Sequence, residues 1–414
     1  MTQSQSIVPL LAMPSADVIS LNLGFPYTEV TEKTAQLFSN ATSHCAATRQ
    51  LQTMTQYGPE NGDEYFRKML ADFLSRQYQA DVLADELYVT AGATHGISIL
   101  STLLFEARDS VYVEDPSFFF VFKIFKGYSL NVISVPTDSD GIIPSALEET
   151  ITSHNSKPAT RPLTETKPYR GMIYLIPTFH NPTGKCLSPD RYKEVIAVAR
   201  RHNLLIVCDD VYNLLYFTDK PPRRLYSYDT KSDSDYATNV VSNGSFSKIF
   251  SPGIRLGWIE APYKILKLIA ESGLAVSGGC FNHTVSCIMA SAISLGYVDS
   301  STEEYRAALK SHCETLTDVF RRKLPREVQV SQPKGGCYVW VSLPDGMEAQ
   351  RILDECSKEY KISFQVGNKF SADGNFKNCF RISYSFYKPD TLRFAAEKIS
   401  TVINKHLSNI INRT

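Results

Sequence analysis

The sequence of 414 residues predicts an α/β protein, with a large domain on a mostly parallel sheet followed by a smaller α+β domain. Two observations lead to this fold class. Between residues 86 and 260, short apolar runs alternate with helical stripes, which is typical of strands joined by right-handed helical crossovers. Several of the runs are apolar without interruption, as in parallel strands that are covered by helices on both faces.

The elements of the large domain follow from these patterns. An amphipathic helix is predicted over residues 65–74, where apolar residues recur every third or fourth position. A second helix covers residues 97–105. A third begins after Ser188, because serine is a good helix cap and Pro189 suits the first helical position. The predicted strands are residues 86–90, 111–116, 130–135, 171–177, 204–208, 240–241 and 256–259.

The pattern changes after about residue 295, which predicts the smaller domain. Its predicted elements are a long helix, two strands and a closing helix, at residues 305–324, 337–341, 380–384 and 391–406. Two polar stretches, residues 152–169 and 219–236, are predicted to be surface loops, because strands of the same pattern resume after each.

Composition and charge exclude several classes of protein. The chain is 43% hydrophobic and 21% charged, as in ordinary globular proteins. Lysine plus arginine and aspartate plus glutamate number 43 each, so the charge gives no indication of a nucleic-acid or acidic-lipid partner. No apolar run approaches the roughly 20 residues needed to span a bilayer. A small-molecule substrate and no membrane association are therefore expected.

The N-terminus and the cysteines indicate the compartment. Residues 1–20 lack the basic start and apolar core of a secretory signal and the arginines of a transit peptide. The nine cysteines form no C-x-x-C pair and no zinc-finger spacing, so free buried thiols are expected rather than disulfides or a zinc site. These features predict a cytoplasmic protein without a bound metal.

One stretch combines residues suited to a covalent cofactor. Ser245, Ser247 and Lys248 follow a short β-branched strand, and Arg255 stands seven residues beyond the lysine. A lysine amine can form a Schiff base with an aldehyde, while hydroxyls and a guanidinium suit a phosphate. Considered alone, the same residues are more typical of a serine-rich turn with a solvated lysine, so the other motifs must decide.

Further motifs occur along the chain, and the wider set is Tyr57 to Gly62, Gly92-Ala93-Thr94, Asp115 to Phe118, His180 to Gly184, Asp209 with Tyr212, Ser245 to Lys248, Arg255 and Arg381. Together these motifs resemble those of the class I and II aminotransferases. They occur in the order of the family and span about residues 24–384. The amino-acid sequence at residues 179–184 and 245–248 is similar to that of the 2-aminoadipate and kynurenine aminotransferase-like branch of the family.

The resemblance implies a fold and a division of the chain. The family are enzymes of pyridoxal 5′-phosphate (PLP) with the fold called type I, whose large domain has a mostly parallel, seven-stranded sheet. The implied domains are an N-terminal arm that forms part of the small domain (1–43), a large PLP-binding domain (44–295) and a small C-terminal domain (296–414).

The resemblance also implies how the cofactor is held. Lys248 would form the Schiff base and move the proton, and Asp209 would pair with the pyridine nitrogen. Asp210 is adjacent, but only Asp209 stands three residues before Tyr212. The phenolic oxygen would be bound by Tyr212 and Asn181. The phosphate would be bound by backbone N–H groups of Ala93 and Thr94, by Ser245, Ser247 and Arg255, and by Tyr57 of a neighbouring subunit in a homodimer.

The remaining implied roles concern the ring and the substrate. Phe118 would stack on the pyridine ring, and Arg381 would bind the substrate α-carboxylate, with help from Asn181 and the backbone of Gly24. Two alternatives stay open, namely a surface salt bridge for Arg381 and a plain β-turn at residues 181–184. The N-terminal segment and residues 277–282 are expected to line the pocket for the substrate side chain. Their orientation cannot be read from the sequence, so aromatic, 2-aminoadipate-like and branched substrates all stay open.

The sequence departs from the family at two places. Residues 93–95 stand where many relatives carry serine and glutamine, which shifts the phosphate contacts towards the backbone. Phe118 replaces the commoner tyrosine. His95 is either a further contact to the ring or a hydrogen-bonded structural histidine.

The predicted function is transfer of an α-amino group from an amino acid to a 2-oxo acid, 2-oxoglutarate being the expected acceptor, by a ping-pong mechanism. Two alternatives keep the cofactor. One is a C–S lyase, decarboxylase or oxidase on the same scaffold. The other is a PLP-binding sensor of the kind fused to DNA-binding modules, which is disfavoured because no basic helix-turn-helix segment precedes Gly24.

Overall fold

The structure is a computed structural model, and it describes residues 17–22, 24–49, 51–155 and 162–411. The strands are β1 (Ile19–Ser20), β2 (Leu87–Thr90), β3 (Ser110–Asp115), β4 (Asn131–Asp138), β5 (Gly141–Ile142), β6 (Gly171–Leu175), β7 (Leu204–Asp209), β8 (Val240–Ser245), β9 (Gly257–Glu260), β10 (Gln329–Val330), β11 (Tyr338–Ser342), β12 (Ile362–Ser363), β13 (Gln365–Val366) and β14 (Cys379–Ser383).

The helices alternate with these strands through the first two thirds of the chain. They are α1 (Thr28–Thr48), α2 (Leu51–Thr55), α3 (Glu64–Tyr78), α4 (Ala93–Leu104), α5 (Phe119–Gly127), α6 (Pro144–Asn155), α7 (Pro189–His202), α8 (Tyr263–Ala270), α9 (Gly273–Gly278), α10 (His283–Ser294), α11 (Tyr297–Lys323), α12 (Ala349–Tyr360) and α13 (Pro389–Ile411).

The large sheet confirms the predicted α/β architecture. Its strand order is β2-β9-β8-β7-β6-β3-β4-β5. The strands β4, β3, β6, β7 and β8 pair in parallel, whereas β9 is antiparallel to both of its neighbours. Seven strands form the expected sheet, and the two-residue β5 adds an eighth at its edge. The edge strand is too short to leave a signal in the sequence.

Alternate residues of the central strands face two separate apolar layers. On β7, Leu205 and Val207 belong to one buried cluster, while Ile206 and Cys208 belong to the other. All six residues of β7 are buried, which explains why the strand appears in the sequence as an unbroken apolar run. Because both faces are covered, polar groups at the end of β7 lie in an interior of low polarity.

The predicted helix boundaries hold where a capping signal is present. The Ser188 side chain accepts a hydrogen bond from the Arg191 amide and Pro189 opens α7, as predicted. The prediction for α11 was too short, because it placed the start eight residues late. The true start follows Gly296, whose left-handed backbone (φ 72°) precedes a first turn without a clear apolar stripe.

The small domain is built on the four-stranded sheet β10-β11-β14-β13, with α11 and α13 packed together. The N-terminal segment joins this domain, since β1 pairs in parallel with β12 and the Ser383 amide donates to the Leu21 carbonyl at 2.9 Å. The boundary predicted at residues 43/44 falls within α1, and that at 295/296 falls between α10 and α11. The division into domains stays a prediction.

Neither polar stretch is a simple surface loop, which corrects the prediction. The first begins within α6 and ends at Tyr169, which is 3% exposed; its residues 156–161 lie outside the described ranges. The second contains a short 3₁₀ helix (Leu225–Tyr228) and Arg224, which is buried against Glu260 and Tyr78. A buried ion pair of this kind leaves no periodic signal in a polar sequence.

The cysteines are all free, as predicted, and eight of the nine are buried. None of the helices in the described part of the chain is long and apolar enough to cross a membrane.

Candidate active site

The site forms at the carboxyl end of β7. Asp209 is the last residue of this strand and lies opposite Asn243 of β8. Its carboxylate accepts a 2.6 Å hydrogen bond from the Tyr174 hydroxyl on β6 and a 3.4 Å hydrogen bond from the Asn243 amide. Three adjacent parallel strands therefore fix the position of one carboxylate.

The interior raises the pKa of Asp209 to about 6, mainly because burial disfavours the charged carboxylate. Hydrogen bonds from Tyr174 and Asn243 and the charge of Lys248 act in the opposite direction. Asp210 lies on the other face of the sheet, where its carboxylate accepts from the Ser242 hydroxyl at 2.6 Å. The structure thus places the two adjacent acids in separate environments, and the role of Asp209 stays a prediction.

Lys248 lies in the short 3₁₀ turn (Phe246–Lys248) that follows β8. The Ser245 side chain caps this turn by accepting from the Ser247 amide at 3.1 Å. The Lys248 ammonium donates a 2.7 Å hydrogen bond to the carbonyl of Gly24. The lysine is partly buried, and its charge contributes to lowering the pKa of Asp209, so both groups belong to one site.

A group of hydrogen-bond donors lies at the N-terminus of α4. Gly92 precedes this helix without a side-chain cap, which leaves the amides of Ala93 and Thr94 in the first helical turn. The Arg255 guanidinium donates to the Ser247 hydroxyl at 3.1 Å, and Ser247 in turn bonds Ser245 at 2.9 Å. A helix N-terminus beside a guanidinium and hydroxyls is a favourable environment for an anion.

A second group connects the two domains. The Arg381 guanidinium on β14 donates a 2.7 Å hydrogen bond to the Asn181 side chain, and the Asn181 amide approaches the Tyr212 hydroxyl at 3.5 Å. The Tyr212 hydroxyl lies 3.3 Å from that of Tyr338, whose ring is stacked 4.1 Å below the guanidinium. Four predicted or neighbouring side chains thus form one continuous polar network.

Arg381 is 2% exposed, which excludes a surface salt bridge. It also donates to the carbonyl of Asn22, and its Nε has no hydrogen-bond partner within the described ranges. Among the residues that the structure describes, no carboxylate forms an ion pair with it. Burial lowers the pKa of this guanidinium below its ordinary value. A buried cation without an anionic partner is suited to binding an anion from outside.

Three predicted residues take no part in these networks. Tyr57 is 79% exposed, and Phe118 is half-buried against Phe120, with ring centroids 5.5 Å apart. His95 accepts a 2.9 Å hydrogen bond from the Ala91 amide, so it is a hydrogen-bonded histidine that braces the turn before α4.

Comparison with known proteins gives the family. The family model for aminotransferases of class I and II matches residues 16–399. The chain is a class I and II aminotransferase. The family resemblance seen in the motifs is thereby confirmed, and the enzyme is a PLP-dependent transaminase.

The relatives of this aminotransferase span several functions. It is 25% identical over 400 residues to aromatic-amino-acid aminotransferase 1 of Thermococcus litoralis, covering 96% of this chain and 91% of that one. It is 26% identical over 333 residues to the 2-aminoadipate transaminase of Thermus thermophilus, covering 80% and 77%. It is also 28% identical over 355 residues to an uncharacterized HTH-type transcriptional regulator, YjiR, of Escherichia coli, covering 85% and 70%.

The solved structures confirm the fold. The multiple substrate aminotransferase of Thermococcus profundus superimposes with a TM-score of 0.81 at 23% identity, covering 95% of this chain and 93% of that one. The likeness establishes fold type I for this aminotransferase.

The side chains of the aminotransferase fit PLP. A Cβ atom at Gly92 would lie 2.8 Å from Arg255 Nη2, so glycine keeps open the space beside the guanidinium and the α4 amides. Within the described residues, Arg381 Nε is a buried donor without a hydrogen-bond partner, which leaves it free for an anionic group. An anion site, a buried carboxylate and a lysine match the phosphate, pyridine nitrogen and aldehyde of the cofactor.

Sequence reasoning missed four residues of the site. Tyr174 and Asn243 contact Asp209, Tyr338 contacts Tyr212, and the Asn22 carbonyl accepts from Arg381. Tyr174 carried a signal, since it is a polar group in the apolar strand β6 beside β7, whereas Asn243 stands among the polar residues that end β8. Tyr338 and Asn22 carried none, because their partners are more than 100 residues away.

Proposed function

We propose that this aminotransferase moves the α-amino group of an amino acid to 2-oxoglutarate by a ping-pong mechanism, with Lys248 as the covalent attachment point. The supporting observation is that Lys248, Asp209 and the unpaired, buried Arg381 surround one site. When bound, PLP supplies an electron sink for the bond that is broken at the substrate α-carbon.

In this proposal each side chain has one task. Lys248 moves the proton at the α-carbon, and Asp209 keeps a proton on the pyridine nitrogen. Tyr212 and Asn181 bind the phenolic oxygen, while Phe118 lies on the ring face. The phosphate is bound by the amides of Ala93 and Thr94 and by Ser245, Ser247 and Arg255.

Arg381 would bind the α-carboxylate of donor and acceptor in turn. Its planar guanidinium matches a carboxylate through two parallel hydrogen bonds, and its Nε has a free donor. Gly24 and Asn181 would contact the same carboxylate. Because one guanidinium serves both substrates, the first product must leave before the acceptor binds, which is the basis of the ping-pong order.

We infer that the preferred donors have large apolar or aromatic side chains. Phe370 lies 4.8 Å from the Arg381 guanidinium, and Phe119 and Trp340 pack edge-on against Phe370 at 5.2 and 5.8 Å. Phe119 is half-buried and reaches this cluster from the large domain. The relative from Thermococcus litoralis is named for aromatic amino acids, in agreement with this inference.

We propose that the protein forms a homodimer through the exposed apolar surface that lies beside the proposed phosphate-binding residues. Leu51, Tyr57, Leu274, Val276 and Phe281 are 59%, 79%, 46%, 63% and 39% exposed. Their segments are joined, since the Cys280 amide donates to the Pro59 carbonyl at 3.1 Å. The Asn282 side chain donates to the Arg255 carbonyl, which brings the surface next to the phosphate donors. Tyr57 would reach the phosphate of the partner subunit.

The cytoplasm is proposed as its location, because nine free cysteines suit a reducing compartment. Microscopy of a fluorescent fusion, with an organelle marker as reference, tests this location.

The sensor alternative has support from the regulator YjiR, whose match covers most of this chain. A sensor would bind PLP without turning over amino acids. Another PLP reaction on the same fold would consume an amino acid without a requirement for a 2-oxo acid.

The deciding experiment is an absorbance titration of the purified protein with single amino acids and then with 2-oxoglutarate. Transamination predicts a band from bound PLP that one amino acid removes and 2-oxoglutarate restores. Lys248→Ala should lack the band, and Lys264→Ala, a substitution at an exposed lysine, should keep it. A band that ignores every amino acid would favour the sensor, and a band lost irreversibly would favour another PLP reaction.

A further inference from the structure

We propose that Tyr338 is a positioning residue of the active site, whose hydroxyl directs the Tyr212 proton towards the phenolic oxygen of the cofactor. The inference rests on the proposed function. Tyr338 opens β11 in the small domain and is 3% exposed, while Tyr212 follows β7 in the large domain. Their hydroxyl oxygens are 3.3 Å apart, and their rings meet edge to face at 5.7 Å.

The direction of this hydrogen bond decides what Tyr212 can do. A tyrosine hydroxyl has one proton to donate and lone pairs that accept. The Asn181 amide already approaches the Tyr212 oxygen at 3.5 Å as a donor. If Tyr338 donates as well, the Tyr212 oxygen is occupied as an acceptor and its own proton points away from both neighbours. If Tyr212 donates to Tyr338 instead, its proton is no longer available for a hydrogen bond to the phenolic oxygen of the cofactor.

Arg381 favours the first arrangement. Its guanidinium lies 4.1 Å from the centre of the Tyr338 ring, and a cation over an aromatic ring withdraws electron density from it. The Tyr338 hydroxyl therefore becomes the stronger donor of the two. The small domain faces Tyr212 with Arg381, Tyr338 and Cys337, and β6 faces it with Tyr174. Because burial raises the pKa of Tyr212 well above its ordinary value, Tyr212 keeps its proton at neutral pH.

The backbone around Gly24 shows how tightly the Tyr338 hydroxyl is placed. A Cβ atom on Gly24 would lie 2.2 Å from this hydroxyl and 2.8 Å from the ring carbon that carries it. The same glycine accepts the hydrogen bond from Lys248. Tyr338 thus packs against the backbone that holds the lysine, and glycine at position 24 makes that approach possible.

The test is Tyr338→Phe in the PLP-loaded enzyme, which removes the hydroxyl and keeps the ring under Arg381. Without the hydrogen bond that it accepts from Tyr338, the Tyr212 hydroxyl is a weaker donor, so the phenolic oxygen that it contacts becomes more basic. We expect the pH at which the absorbance of the bound cofactor changes to rise by about one unit. We also expect kcat to fall by about tenfold, with KM for the amino acid within about twofold of wild type.

Two further variants separate positioning from structure. Tyr384→Phe removes a buried hydroxyl from the same domain, one that donates to the Gly335 carbonyl at 3.0 Å, and should leave the absorbance profile unchanged. Tyr338→Leu also removes the ring, so KM should rise as well, because Arg381 loses its support. The proposal is overturned if Tyr338→Phe has the absorbance profile of wild type. Absence of a cofactor band in the wild type would instead overturn the proposed function.

Discussion

At the residue scale, adjacent side chains at the end of β7 lie in different environments. Asp209 shares a face of the sheet with Tyr174 and the site, and Asp210 faces Ser242 and the buried Arg224. The alternation of side chains along a strand is sufficient to separate them. Burial raises the pKa of both carboxyls to about 6. In the proposed function, only Asp209 would gain a cationic partner, the pyridine nitrogen of the cofactor.

Asp210 should therefore limit the stability of the cofactor-free protein. Its pKa of about 6 in the folded state lies above its ordinary value of 3.8, so the folded state holds more protons within that window. The free energy of unfolding consequently falls as the pH rises from 3.8 to 6. Asp210→Asn should stabilise the protein by at most ~3 kcal/mol at a pH of about 8 and have little effect at a pH of about 4.

Thermal denaturation of the cofactor-free protein across this pH range measures the effect of Asp210→Asn. Asp81→Asn, at an exposed carboxylate, serves as control and should not change the profile. Equal destabilisation by Asp210→Asn at both ends of the range would show that the carboxylate is needed for folding.

Arg381→Lys should weaken binding of both substrates. An ammonium cannot form the two parallel hydrogen bonds of a guanidinium, so KM for the amino acid and for the 2-oxo acid should each rise by about thirtyfold. Steady-state kinetics measures both constants. Arg393→Lys, at an exposed arginine, should change neither. An increase confined to one substrate would mean that the two carboxylates bind to different groups.

At the element scale, the site depends on loops that approach one another closely. Gly257 of β9 pairs with Thr90 of β2 and with Ser245 of β8, so three strand ends converge there. A Cβ atom at Gly257 would lie 2.9 Å from the Gly92 Cα and 2.5 Å from the Gly244 carbonyl oxygen. Glycine at this point lets the N-terminus of α4 reach the Ser247 and Arg255 donors.

Gly92→Ala should therefore impair cofactor binding. Gly92 has φ +90°, which is strained for alanine, and the new methyl group would meet Arg255 Nη2 at 2.8 Å. We expect the affinity of the cofactor-free protein for PLP to fall by at least about tenfold, measured by fluorescence titration. Gly127→Ala is the matched control, because a Cβ atom there would meet no described residue outside its own helical turn within 4 Å. Unchanged affinity in Gly92→Ala would place the phosphate elsewhere.

At the scale of the whole molecule, the candidate active site lies where the two domains meet. Arg381 and Tyr338 come from the small domain and contact Asn181 and Tyr212 of the large domain. The N-terminal segment is bonded to both sides, since the Lys248 ammonium binds the Gly24 carbonyl and Ser385 binds the Phe25 carbonyl. Binding of a substrate carboxylate by Arg381 would thus involve both domains.

Mixed dimers test whether two subunits share each active site. When Lys248→Ala and Tyr57→Ala chains are dissociated and reassociated, half of the dimers should be mixed. In each mixed dimer one site should combine an intact Lys248 with an intact Tyr57. Activity should then return to about a quarter of wild type.

Mixing Lys248→Ala with Arg255→Ala is the control, because both residues act in the same chain and no mixed dimer has an intact site. If both mixtures stay inactive while the chains demonstrably associate, Tyr57 does not act across the interface.

Much of the fold could be predicted from the sequence because local signals and the fold agree. The apolar run of β7 and the Ser188-Pro189 cap of α7 each specify an element without reference to distant residues. The family motifs also singled out Lys248, Asp209 and Arg381, because each of these residues lies in a short contiguous stretch that can be matched without knowledge of distant segments. The edge strand β5 and the start of α11 could not be predicted, because neither has an apolar period.

The tertiary structure decided the contacts between distant segments. Tyr338 meets Tyr212 across 126 residues, and Arg381 meets Asn181 across 200. The polar stretch at residues 219–236 contains the buried Arg224, which could not be distinguished from a surface arginine without its partner Glu260. The local sequence by itself determined which residues form strands and which motif residues follow those strands. Packing of the two domains determined which side chains are buried and face one another, because burial and hydrogen-bond partners depend on segments that are far apart in sequence.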